Sequence, residues 1–259
     1  MNVLRSFWAV VDWQTYVVTA LALCSTFFCH KYGFTSELPS GLIGIAIIFP
    51  IVFSINAAYR RREEVLRHFA SLKAHGVALC FAHSDWSGSD EGGKQRSEGL
   101  FFQLFDQILG LFSSKYDDHD GEKASVVYAQ FKAFSKSHEE LRASGVSASE
   151  ISRANQYLRC MIIDFEKMRN IKLYQTPKSL RAYSQIFLNL FPILYAPYFA
   201  QICADSTLFS GYAVAVLYSM VLVTLDNIQE DLEDPFDGVG VDDVNLDVAE
   251  EYRNILSKV

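Results

Sequence analysis

Four stretches carry no charged residue, Gln14 to Cys29, Leu38 to Tyr59, Ala182 to Ala204 and Ser206 to Leu225. A helix needs roughly 20 apolar residues to cross the hydrocarbon core of a bilayer, so the last three are long enough and the first is marginal. Trp8 and Trp13 before the first stretch and Tyr32 after it stand where interfacial aromatics anchor a span. The pattern predicts four membrane helices. Half of the 259 residues are hydrophobic, against 20% charged, and the apolar residues gather in blocks instead of spreading evenly as in a soluble domain. A net charge of -7 excludes general affinity for nucleic acid.

The connections set the topology. His30 to Pro39 and the residues around Asp205 are long enough only for hairpin turns, whereas Arg60 to Arg181 is a long polar segment. Arg60, Arg61, Arg62 and Arg67 follow the second run, and Lys178 and Arg181 precede the third, which puts the long segment and both termini in the cytoplasm by the positive-inside tendency. The expected organisation is residues 1–59 with helices 1 and 2, a cytoplasmic helical domain over 60–178, helices 3 and 4 over 179–229, and an acidic cytoplasmic tail over 230–259. No basic n-region with a cleavage site opens the chain, so the first apolar block is expected to remain.

Within the polar segment, Leu100, Phe101, Leu104, Phe105, Ile108, Leu109 and Phe112 form one helical stripe. Ile151, Ala154, Leu158, Met161, Ile162 and Phe165 form a second, opened by a capping box of Ser147 and Glu150. Val126, Val127, Phe131 and Phe134 suggest a helix between them, and Arg61 to Cys80 can prolong the second span. Ser84 to Glu98, rich in Gly, Ser and charge, reads as a loop. The five cysteines form neither a disulfide framework nor a zinc knuckle, and most are expected to be buried thiols.

Three segments carry a family resemblance. The second span and its exit read Leu42-Ile-Gly-Ile-Ala-Ile-Ile-Phe-Pro-Ile-Val-Phe-Ser-Ile-Asn-Ala-Ala-Tyr59 followed by Arg60-Arg61-Arg62-Glu63-Glu64. This resembles the bestrophin family, whose bacterial members carry an L-L-G-I-A-type run ending in G-F-R-N-N-A-S-Y and then D-R-W-W-E. Thr176-Pro177 with Ala182-Tyr183 resembles that family's T-P-x-P-x-A-Y, and Glu233-Asp234-Pro235-Phe236 resembles its D/N-P-F. The three matches run in order from about Leu42 to Asp247. Arg62 and Glu63 replace the usual two tryptophans, and Val52 the usual glycine, which marks a divergent member. The resemblance implies an all-α, bestrophin-like homopentamer with four transmembrane helices per subunit and a cytoplasmic helical domain. Its second spans would line a pore for chloride or other monovalent anions.

Ile45, Phe49 and Phe53, spaced i, i+4, i+8, share one helical face and match the family's hydrophobic neck. Five copies would make three apolar rings that can dewet, with phenyl edges favouring a partly dehydrated anion. The same stripe would also suit lipid or a neighbouring helix. Pro50 removes a backbone donor and could supply a gating kink or a tolerated bend. Arg60, Arg61 and Arg62 could attract anions at the cytoplasmic mouth or anchor the helix in headgroups, and only Arg61 matches the family's arginine.

Asp234, Asp237, Asp242 and Asp243 could offer oxygen ligands to calcium, although the glycine-broken tail is closer to the bacterial pattern than to the animal acidic clasp. No other cofactor is expected. Tyr116 to Gly121 fails as a calcium loop and Gly88 to Lys94 as a phosphate loop, because ligand positions hold the wrong residues. His68, His75 and His83, spaced seven and eight apart, lack acidic or cysteine companions and read as ordinary helix residues. No nucleophile and base come together, and the four runs hold no charge that would mark an intramembrane site, so no enzyme is expected. The alternatives are a cation-conducting homologue and a membrane-anchored interaction or regulatory protein without a pore.

Overall fold

The computed structural model describes residues 11–37, 40–86, 91–113, 121–174, 178–238 and 243–258. Within its helices, side chains are described for all but 40–48, 50, 91, 178–180, 183, 184 and 208. The described residues form helices and no strand: α1 (Trp13–Tyr32), α2 (Ser40–Trp86), α3 (Glu91–Phe112), α4 (Glu122–Ala143), α5 (Ala148–Leu173), α6 (Lys178–Leu194), α7 (Ala196–Asp205), α8 (Leu208–Glu233) and α9 (Ala249–Leu256). The chain divides into a first unit of residues 1–60 and 176–233 and a second of 61–175 and 234–259, with the division falling inside α2 between Arg60 and Arg61. The tail after Glu233 therefore belongs to the second unit.

Within the first unit, α1 packs on α6, α7 and α8, and α8 also packs on α6 and α7. Asp12 caps α1 by accepting from the Trp13 N–H at 2.6 Å. Gly33 ends α1 at φ 70°, a left-handed turn open to glycine, and its N–H returns to the Cys29 and His30 carbonyls. The third apolar run is not one continuous helix. Pro192 lies within α6 and cannot donate to the helix ladder, the chain turns at Tyr195, and α7 restarts with Pro197 in its first turn, where a missing N–H costs nothing. Thr207 and Ser210 then open α8 by exchanging backbone-to-hydroxyl hydrogen bonds of 3.3 Å in each direction. Gly211 is required for the α7–α8 hairpin: a Cβ there would overlap Cys203 Sγ and the Phe199 carbonyl.

The second unit has an aromatic core. Phe101, Leu104, Phe105, Ile108 and Phe112 of α3 are buried, with Val127, Phe131 and Phe134 of α4 and Ala154, Leu158, Met161 and Phe165 of α5. Val126 instead points outward, because it sits one position off the Val127–Phe131–Phe134 face. Gly76 lets α2 and α3 approach closely, since a Cβ would lie 2.7 Å from the Phe101 ring. Ser147 caps α5 by accepting from Glu150 N, but the Glu150 carboxylate pairs with Arg153 at 3.0 Å.

Two local expectations are corrected. Most of the supposed loop from Ser84 to Glu98 is helical, since α2 continues to Trp86 and α3 begins at Glu91. Gly92 and Gly93 fall in the first turn of α3, where their cost is small, and the apolar stripe from Leu100 onward carries the helix. Only Cys80 and Cys203 are buried: Cys24 is exposed, and Cys29 and Cys160 are half-buried. Burial, with Glu98 nearby, pushes the Cys80 thiol up to about 12.

The tail packs on its own unit. Phe236 stacks on Phe112 at 4.5 Å, Val244, Leu246 and Val248 join the core, and Tyr252 of α9 lies 5.6 Å from Phe101.

Candidate functional site

The expected neck lies on α2. Ile45 and Pro50 are within this helix, but their side chains lie outside the described residues. Phe49 and Phe53 follow one another on a single face, with ring centroids 5.9 Å apart. They are 57% and 64% exposed, while Ile51 on the opposite face is buried against Leu188 and Leu222. The first unit thus holds α2 by its aliphatic side and leaves its aromatic side uncovered. An uncovered aromatic ladder suits contact with lipid, a second protein surface or a permeating ion.

The three arginines divide. Arg60 is exposed and closes the first unit, whereas Arg61 and Arg62 are half-buried in the second, with Arg62 paired to Glu63 at 3.0 Å. Arg60 is the least covered of the three.

Both carboxylate oxygens of Asp234 are engaged: Lys172 Nζ donates to Oδ2 at 2.7 Å, and the Phe236 N–H donates to Oδ1 at 3.2 Å. Asp237 is exposed, Asp243 is half-buried, and Asp242 lies outside the described residues. Among the described residues, no three His, Cys, Asp or Glu side chains come together as metal ligands.

Polar groups inside the first unit are a feature that the sequence reading missed. α8 extends eight residues beyond Leu225, and its buried face carries Asp226, Gln229 and Glu233. Asn189 of α6 hydrogen-bonds the Asp226 carboxylate, donates to the Gln185 carbonyl at 2.9 Å, and accepts from Gln14 of α1 at 3.0 Å. Three helices are thereby joined through one amide. Glu233 accepts from Arg181 Nε at 2.6 Å and pairs with the same guanidinium through Nη2. A charge scan stops at Asp226 because it cannot tell an exposed acid from a buried one, yet the i, i+3, i+7 spacing of 226, 229 and 233 was readable as one helical face.

Two helical stretches, Gln185–Asp205 and Phe209–Glu233, are long and apolar enough to cross a membrane among the described residues. Together with the broken α6–α7 unit and the long α2, they belong to a fold that is all-helical among the described residues.

Comparison with solved structures gives that fold a family name. A bacterial bestrophin homologue from Klebsiella pneumoniae carrying one substitution matches with a TM-score of 0.79 at 17% identity, covering 94% of this chain and 97% of that chain. Another structure of a bacterial bestrophin homologue from Klebsiella pneumoniae, phased on zinc, matches at 0.79 and 16% identity over 94% and 96%. A structure described as a membrane protein matches at 0.80 and 16% over the same shares. The chain adopts a bestrophin-like fold. No protein-family profile matches it, and no curated protein matches it by sequence.

Proposed function

We propose that the chain is one subunit of a homopentameric membrane ion channel that conducts chloride or other monovalent anions without covalent chemistry. Each subunit crosses the bilayer four times, with termini and second unit in the cytoplasm. The observation that carries this reading is the uncovered aromatic face of α2, where Phe49 and Phe53 are more than half exposed while Ile51 is fully packed. Five such faces turned to a common axis make a dry constriction whose positive ring edges favour an anion that has shed part of its water. Ile45 supplies a further ring of the neck, Pro50 a bend, and Arg60 to Arg62 a positive cytoplasmic approach.

Flux through liposomes holding purified protein tests the proposal. Chloride efflux is expected from the wild type and a several-fold change from Phe49→Ala and Phe53→Ala; no flux from any of the three removes the channel reading. A second reading keeps the pore and reverses its selectivity, supported by the net charge of -7 and the acidic tail from Glu230 to Asp247. The sign of the reversal potential in asymmetric salt separates them. A monomer or dimer in a native-like membrane would instead favour an anchored interaction protein. Calcium at Asp234, Asp237, Asp242 and Asp243 would require Lys172 to release Asp234.

A further inference from the structure

Two histidines, one of them the last of the trio on α2, meet inside the second unit. His83 of α2 and His138 of α4 are 3% and 2% exposed, with ring centroids 5.3 Å apart. His138 Nδ1 lies 2.8 Å from Asn155 Oδ1 of α5, and its Nε2 is buried with no hydrogen-bond partner. An amide oxygen only accepts, so His138 carries its proton on Nδ1 and leaves Nε2 bare.

His83 is different. Its Nδ1 is 2.9 Å from the Leu79 carbonyl, its Nε2 is 2.9 Å from Ser137 Oγ, and that hydroxyl donates to the Phe134 carbonyl at 2.7 Å. A carbonyl only accepts, so Nδ1 of His83 must be protonated. The single Ser137 proton cannot serve both the Phe134 carbonyl and a bare Nε2. One extra proton, on Nε2, completes the chain from Leu79 to Phe134.

A pocket of about 120 Å³ reaches this pair, lined by His83, Arg96, Ser97, Ser137, Glu140 and Ser144. It has room for water to deliver a proton. Among the described residues, the charged and titratable groups facing His83 include Arg96 from α3 and His138 and Glu140 from α4, and α5 contributes the neutral amide of Asn155 against His138. Arg96 and Glu140 are ion-paired, which joins α3 to α4. Glu140 also attracts positive charge on His83.

We propose that the His83–Ser137 pair is a proton-binding site whose occupation shifts Glu140 from Arg96 toward His83 and loosens α4 from α3. Burial lowers the proton affinity of both imidazoles, and each pays this desolvation before any neighbour acts; His138 lowers His83 further, while Leu79 and Glu140 oppose the fall. In the unfolded chain both titrate near 6.5. The unfolded chain then binds protons that the folded unit refuses, so stability present above about pH 6.5 is lost as the pH falls. Of the two buried imidazoles, His83 is the one with hydrogen bonds ready for the added proton.

The test uses the full chain in detergent with ¹⁵N-labelled histidine. A buried ring titrating below about pH 6.5, absent in His83→Gln and displaced to lower pH in Glu140→Gln, is expected. Amide exchange over residues 134–143, corrected for the intrinsic pH effect, is expected to rise about tenfold from pH 7.5 to 5.5 in the wild type and not in His83→Gln. If His138 titrates instead, if Glu140→Gln leaves the titration unmoved, or if exchange rises equally across the whole unit, the proposal is overturned. Should His83→Gln fail to fold, the wild type and Glu140→Gln decide the matter alone.

Discussion

The two units put opposite chemistries on their surfaces. In the first, Trp13, Phe34, Leu217 and Phe209 face outward, the last 82% exposed, while Asp226, Gln229, Ser219 and Thr26 are buried. In the second, Phe101, Phe112, Phe134 and Phe165 are fully buried, and Arg96, Glu140 and Arg153 lie largely outside. The proposed channel accounts for the difference, because its first unit would face lipid and its second water. Water drives aromatic rings together, whereas a bilayer removes that drive and leaves polar contacts and close packing to hold helices. Gly211, the Asn189 hub and the Arg181–Glu233 pair add in the first unit to a smaller ring cluster around Tyr195, Phe199 and Tyr218.

Substitutions should therefore act on one unit and leave amide exchange in the other unchanged. The largest effect is expected from Phe165→Ala, which empties the aromatic core and should cost the second unit about 4 kcal/mol. Exchange-resolved unfolding in detergent measures this; equal loosening of α7 and α8 would break the distinction between the units. Gly211→Ala should cost the first unit about 3 kcal/mol, because the new methyl meets backbone and sulfur that cannot give way. Its signature is faster exchange in α7 and the start of α8, with α3 to α5 unaffected.

Arg181→Met leaves the buried Glu233 without its cation and should cost about 2 kcal/mol, the guanidinium being only partly covered. A smaller loss from Arg181→Met with Glu233→Gln than from Arg181→Met alone would sharpen the reading that polar pairs hold the first unit. Ser147→Ala removes one cap and should cost about 1 kcal/mol, seen as fraying at the start of α5. In the wild type, acid below about pH 6.5 should weaken the second unit through its histidine pair, with the first unit less affected.

How much of this was readable beforehand depended on whether the signal was periodic. The stripes around Phe101, Phe134 and Phe165 repeat at helical spacing, and most of their residues are buried, with Leu100, Leu109 and Ile162 partly so and Val126 exposed. The shared face of Phe49 and Phe53 on α2 was also legible from their i, i+4 spacing. Asp226 was passed over because it ends a hydrophobic run and so reads as the first residue outside it. The break at Tyr195 was passed over because Pro192 and Pro197 sit within an uninterrupted apolar stretch, where hydropathy is blind to a missing N–H.

Composition and spacing alone determined that this chain would be helical, that its apolar runs would segregate from its amphipathic ones, and which faces would carry aromatic rings. Those properties are local: each follows from residues within a few turns of one another. Only the tertiary structure decided which polar groups share an interior. Gln14 meets Asn189, Asn189 meets Asp226, and His83 meets Ser137 and His138 across separations that no period encodes. Such meetings are set by how whole helices pack, and they matter because a buried polar group must find its partner wherever in the chain that partner lies.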